Sequence, residues 1–140
     1  MRDDKPVLSI CMTCRDGRET LNELRGGARL AKSVMKQLEQ STPTEVSLRG
    51  IQCMSQCKRP CIASLSGCDR FTYVFGDLDP ENTDHIDALL ALVALYETAP
   101  EGFIERRNRP EALRSNILGR IPPLSSTSDL VTQLSAVPAE

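Results

Sequence analysis

The side chains best suited to chemistry in this 140-residue chain are its six cysteines; there is only one histidine. Cys11 and Cys14 form a CxxC pair, Cys53, Cys57 and Cys61 form CxxxCxxxC, and Cys68 stands apart. Thiolates are the usual ligands of iron–sulfur clusters and of structural zinc. In a [2Fe–2S] cluster each iron takes two protein thiolates besides the bridging sulfides. Cys11 and Cys14 suit one iron and Cys53 and Cys57 the other, with Cys61 as an alternate ligand. Zinc is the alternative metal. Two blander readings stand beside these. Free cysteines also pack as small hydrophobes, and a CxxC can be a redox dithiol. Here a long charged stretch separates the CxxC from the next helical pattern, which argues against a helix dipole acting on the first thiol.

Those cysteines must be positioned by short elements. Val7–Ile10 reads as a buried strand running straight into Cys11. Leu30, Val34 and Leu38, with Ala31 and Met35 beside them, predict a helix over 28–40, and Gly26–Gly27 break any longer one. A helical turn is expected around Leu21 and Leu24, and Ser41–Thr42–Pro43 end the helix. Val46, Leu48 and Ile51 read as a second strand, again leading into cysteines. Ile62–Leu65 and Thr72–Phe75 are two more strands, joined by a turn at Ser66–Asp69. A second helix over 84–96 carries Ile86, Leu89, Leu90, Val93 and Leu95, with Asp84 as its cap. A third, short helix is expected from Pro110, with Leu113 and Ile117 on one face and Gly119 as its stop.

The order strand, helix, strand makes a right-handed βαβ unit with parallel strands. A β-hairpin and a helix follow. The fold class is therefore α/β: a thioredoxin-like mixed sheet with helices on its faces and a C-terminal helical extension. Residues 1–100 are expected to form the thioredoxin-like iron–sulfur domain, 101–123 a C-terminal extension packed on it, and 124–140 a loosely ordered tail. Parallel strands end on one edge of the sheet, so both cysteine groups are expected there together. Cys68, in the hairpin turn, faces away from that edge and is read as structural.

Bulk properties narrow the setting. Hydrophobic residues make up 40 %, there is no Trp, and the net charge is −2, which gives no general drive toward nucleic acid or membrane. The start, MRDDKPVLSICMTC, does not read as a signal peptide, and no segment approaches the roughly 20 apolar residues of a membrane span. A cytoplasmic setting keeps thiols reduced, so a disulfide framework is not expected. No phosphate loop, carboxylate dyad or nucleophile–base set is visible, and the chain is not expected to be an enzyme.

The stretch from Cys53 to Ile86 resembles the second half of thioredoxin-like [2Fe–2S] ferredoxins and of the small subunit of respiratory NADH dehydrogenase. The matching positions are Cys53, Cys57, Pro60, the strands near Ile62 and Tyr73, Gly76 and the helix after Pro80. That resemblance implies Cys53 and Cys57 as ligands. Those ferredoxins space their first two cysteines more widely than Cys11 and Cys14. Over residues 7–123 the chain resembles more closely an uncharacterised bacterial family of small predicted metal-binding proteins. The shared residues are Cys11-Met12-Thr13-Cys14-Arg15, Cys53 through Cys61, Tyr73 through Leu78, Arg109-Pro110 and Arg120-Ile121-Pro122-Pro123. This second resemblance implies a metal site and, loosely, an association with aerobic cobalamin-synthesis genes.

The expected function is one-electron transfer by a [2Fe–2S] protein with a protein redox partner; a homodimer is compatible with it. The alternative is a zinc- or cluster-binding adaptor or metal-delivery protein. His85 is read as a solvated surface residue. The acids from Asp77 to Glu101 either solvate a helix face or meet a basic partner. Arg106, Arg107, Arg109, Arg114 and Arg120 either neutralise that acidic stretch, line a dimer interface or bind an acidic partner. Lys58 and Arg59 give the cysteine loop a locally positive rim.

Overall fold

The computed structural model describes residues 5–19, 24–40, 45–55 and 59–134. Five strands form one mixed sheet: β1 (Val7–Cys11), β2 (Ser47–Ile51), β3 (Ala63–Ser66), β4 (Thr72–Phe75) and β5 (Ile117–Ile121). Their spatial order is β2-β1-β3-β4-β5. Only the β1–β2 pair is parallel, with Cys11 opposite Ile51, while β3, β4 and β5 join antiparallel. Two helices, α1 (Gly26–Gln40) and α2 (Thr83–Thr98), complete the fold. This is the βαβ unit followed by hairpin and helix that the sequence implies, and the class is α/β.

Alternation along the strands decides the layers. Leu8 and Ile10, Ala63 and Leu65, and Tyr73 and Phe75 share one face and pack with Leu30 and Val34 of α1 and with Leu89 and Val93 of α2. Both helices therefore cover the same face, and the molecule has two layers. On the other face Ser9 accepts a hydrogen bond from Arg49 Nε at 2.6 Å.

Three elements differ from their sequence reading. Gly26 and Gly27 are the first residues of α1, which starts two residues earlier than the periodicity predicts. The first turn of a helix has no intrahelical partners for its N–H groups, and Gly27 N–H instead donates to the Cys14 carbonyl at 3.0 Å. In α2 the cap is Asn82, whose side chain accepts from Asp84 N–H at 2.9 Å; Asp84 lies inside the first turn. Leu92 and Tyr96 are buried there, while Leu95 is exposed. The third helix is absent. A 3-10 turn at Glu111–Leu113 is followed by β5, which pairs with the free edge of β4. Leu113 and Ile117 have helical spacing, but Ile117, Leu118 and Ile121 also suit a strand. Asn116 fixes the choice by donating to the Gly76 and Asp77 carbonyls at 3.0 and 3.1 Å.

Residues 124–134 contain no helix or strand, yet Ser126 and Thr127 donate to the Glu101 carboxylate at 2.7 and 3.2 Å. The expected turn at Leu21 and the helix stop at Ser41–Pro43 lie outside the described residues. Among the described residues no helix is long and apolar enough to cross a membrane.

Candidate metal centre

Because β1 and β2 run parallel, their C-terminal ends meet on one edge of the sheet, and the loops that leave them carry Cys11, Cys14 and Cys53. Short bonds tie the two loops together. Met12 N–H donates to the Ile51 carbonyl at 2.8 Å, Cys11 N–H donates to Ile62 at 2.9 Å, and the Thr13 hydroxyl donates to the Gln52 carbonyl. The start of α1 presses on the same backbone. A methyl group on Gly27 would collide with the Cys11 carbonyl oxygen, and one on Gly50 would stand 2.7 Å from Met12 Cγ. The helix start thus reaches the CxxC loop despite the long charged stretch between them in sequence.

Cys11 and Cys14 are buried against Ile62, with Met54 and Val74 packed beside them. Burial alone would raise the Cys11 thiol, but the Cys14 side chain, the Thr13 hydroxyl at 3.7 Å and the amides of Met54 and Thr13 outweigh it and lower the pKa. Cys14 is pushed up to about 11 by burial and by Cys11, against the amides of Ile62 and Cys61. Cys61 is pushed up to about 12 by burial, then by the charges of Asp16 and Cys14. It belongs to the main core rather than to the Cys11–Cys14 cluster, and it sits at a positive φ of 52°. Cys53 is exposed, and its sulfur accepts the Ser55 N–H at 3.3 Å. Cys68 is exposed in the β3–β4 turn, at the opposite end of the strands. It is not a packing residue.

The sequence-derived ligands are thus distributed as follows. Cys11 and Cys14 form one buried pair, Cys53 lies on the adjoining loop, and Cys61 stands on the core side of Cys14. Cys57 lies outside the described residues. Among the described residues no three Cys, His, Asp or Glu side chains are grouped closely enough to hold an ion. The chemistry of the donor set nonetheless fits thiolate ligation. Cys11, Cys14 and Cys53 all receive backbone amides, and N–H donors favour the charged form of a sulfur.

An ion-pair network that the spacing of the sequence does not reveal anchors the first loop. Asp16, buried, bonds Arg29 of α1; Arg29 also reaches Glu81 at 2.8 Å, and Arg18 bridges Asp79 at 2.8 Å and Glu81 at 2.7 Å. The Arg18 guanidinium holds Asp79 below the usual carboxylate range. Glu19 accepts the N–H groups of Asp16, Gly17 and Gly26, each at 3.1 Å. Burial opposes its ionisation, but these amides lower it to about 2. The acidic stretch is therefore partly neutralised by Arg18, Arg29 and Arg59, whose bond to Asp77 is 2.7 Å. Among the described residues the C-terminal arginines form no ion pair with that stretch; Arg107 pairs with Glu105 at 2.9 Å. His85 is not simply solvated: its Nδ1 accepts the Asp79 N–H at 2.9 Å. Thr13, whose place between two cysteines is a signal in the sequence, joins the candidate site through its hydroxyl beside Cys11.

The chain belongs to a family of proteins of unknown function, DUF1636, whose model matches residues 8–123. No curated protein matches it. Two solved structures, both thioredoxin-like [2Fe–2S] ferredoxins from Aquifex aeolicus, are similar in shape. One, a wild-type crystal structure, has 12 % identity and a TM-score of 0.47, covering 84 % of this chain and 99 % of the other. The second has 13 % identity and a TM-score of 0.49, covering 89 % and 100 %. Likeness at that level carries no ligand set from one chain to another.

Proposed function

We propose that this chain is a one-electron carrier whose [2Fe–2S] cluster is held by Cys11, Cys14, Cys53 and Cys57. The observation that supports this reading is the set of amides from Thr13, Met54, Ser55, Cys61 and Ile62 directed at three cysteine sulfurs on one edge of the sheet. Such donors stabilise negative charge on sulfur and raise the reduction potential of a thiolate-ligated centre. A cluster of this type, when bound, supplies reversible one-electron redox chemistry. Cys11 and Cys14 keep one side of the site dry, and exposed Cys53 keeps the other side approachable. Cys61 is the alternate ligand. The partner is a redox protein that docks with acidic groups on the rim carrying Lys58 and Arg59, in a compartment that keeps thiols reduced.

A zinc- or cluster-delivery role is the second reading, and exposed Cys53 favours it, because an incoming ligand can compete there. Anaerobic purification separates the two. The carrier is red-brown, holds iron and sulfide at about two each per chain, and bleaches with dithionite. Colourless protein with stoichiometric zinc overturns the first reading.

A further inference from the structure

The two arginine–proline pieces singled out in the sequence, Arg109-Pro110 and Arg120-Ile121-Pro122-Pro123, are not used by the proposed electron carrier. Arg120 lies on β5, the edge strand farthest from β2, and the fold brings Arg109 beside it. Arg120 stands directly opposite Tyr73 in the β4–β5 ladder, and the Arg109 guanidinium lies 5.5 Å over the Tyr73 ring. Arg120 itself stacks 4.6 Å over Phe103 and 5.9 Å over Phe71. Arg106 precedes Arg109 by one 3-10 turn, closed by Arg109 N–H to the Arg106 carbonyl at 3.2 Å.

We propose that Arg106, Arg109 and Arg120 form a binding site for a small phosphate-bearing anion. Arg109 is only 9 % exposed, and its Nε donates to the Ile104 carbonyl at 2.9 Å. Burial, followed by the charges of Arg120 and Arg106 and against the influence of Tyr73, weakens its hold on its proton. The charges of Arg106 and Arg120 therefore both act on one buried guanidinium. Among the described residues none of the three has a carboxylate ion pair, whereas Arg18, Arg29, Arg59 and Arg107 all do. The side chains of Arg106 and Arg120 make no hydrogen bond there and are exposed. Uncompensated cations held together by the backbone repel one another, and an anion between them relieves that repulsion.

The chemistry selects a phosphate. Arg120, over the Phe103 ring, makes no side-chain hydrogen bond among the described residues, and its in-plane N–H fork matches phosphate oxygens two at a time. A single carboxylate carries too little charge to balance three cations. A nucleic-acid strand needs a longer basic track, and here exposed Glu105 and Glu111 flank the arginines in a chain of net charge −2. The site is independent of the cysteines and stands or falls separately from any cluster.

The test is titration of the full chain at constant ionic strength, followed by the arginine Nε–H resonances. The probes are inorganic phosphate, pyrophosphate and a short single-stranded oligonucleotide. Saturable shifts at Arg106, Arg109 and Arg120 with pyrophosphate or phosphate, and none at Arg59, are expected. Arg106→Gln should weaken that binding at least tenfold. It is the decisive variant because its guanidinium makes no hydrogen bond, ion pair or ring contact among the described residues, and Arg120→Gln should agree with it. Unsaturable drift, equal affinity in Arg106→Gln, or binding of the oligonucleotide alone overturns the proposal.

Discussion

The two cysteine loops are built differently. The loop from Cys11 to Glu19 is fastened on every side: to β2 through Met12 and Thr13, to the start of α1 through Gly27 and Cys14, and to α1 and the β4–α2 connection through Asp16, Arg18 and Arg29. Among the described residues of the loop from Cys53 to Cys61 the ties are different. Ser55 bonds back to Cys53, the Pro60 carbonyl accepts the Asp77 N–H at 2.9 Å, and Arg59 meets Asp77. Cys11 and Cys14 are buried while Cys53 is exposed. The contrast shows that the first half of the candidate site is organised by the fold. If the proposed cluster is held there, its binding should order the second loop more than the first.

The largest expected effect concerns the ligands. Cys11→Ser and Cys14→Ser, and equally Cys53→Ser and Cys57→Ser, abolish stable cluster binding, measured as iron content and visible absorption. Cys68→Ser retains both. Full occupancy after Cys53→Ser together with loss after Cys61→Ser would move the second loop's contribution to the core side of Cys14.

Next comes the fastening of the first loop. Gly27→Ala forces a methyl group against the Cys11 carbonyl and should cost about 2–3 kcal/mol in denaturant unfolding, as overpacking does. Gly119→Ala meets nothing within 4 Å and is the control. Equal midpoints for the two variants would mean that the helix start is not pressed on the loop.

Cluster removal sharpens the comparison further. Hydrogen exchange should rise markedly at the amides of Met54, Ser55 and Ile62 and change little at Met12 and Gly27, whose partners are backbone carbonyls. A uniform rise across both loops would abolish the distinction.

The rim charges should have a smaller effect. Lys58→Glu with Arg59→Glu slows reduction by the redox partner more at low salt than at high salt, since exposed charges act on association rate. Loss of the Arg59–Asp77 pair itself costs at most about 1 kcal/mol because both groups are half-exposed. A rate independent of salt would remove this loop from the docking surface.

The smallest effect is acid sensitivity. Glu19 is depressed to about 2 in the fold, against about 4.3 for a free side chain. Its contribution is complete above the free value and is lost as pH falls through the folded one. Asp79, lowered by Arg18, adds to the same acid limb. Glu19→Gln should therefore flatten part of the stability loss between those values; an unchanged acid limb would show that Glu19 does not hold the loop.

Much of this molecule was legible from its sequence. Alternation in Leu8, Ile10, Leu65, Tyr73 and Phe75, and the i, i+4 spacing of Leu30 and Val34, are local patterns, and local sterics turn them into strands and a helix. Parallel pairing of β1 and β2 follows from their connection by a helix, and it brings Cys11, Cys14 and Cys53 to one edge. Tertiary structure decided what depends on a distant neighbour. Ile117–Ile121 became a strand because β4 offered an open ladder, although Leu113 and Ile117 have helical spacing. Gly26–Gly27 became a helix start because only a residue without a side chain lets that backbone approach Cys11. Asp16 and Arg29, and Arg109 and Arg120, met because chain reversal set them side by side. Periodicity carries information over one or two turns, whereas an ion pair, a stacked guanidinium or a shared sheet edge exists only once the core has closed.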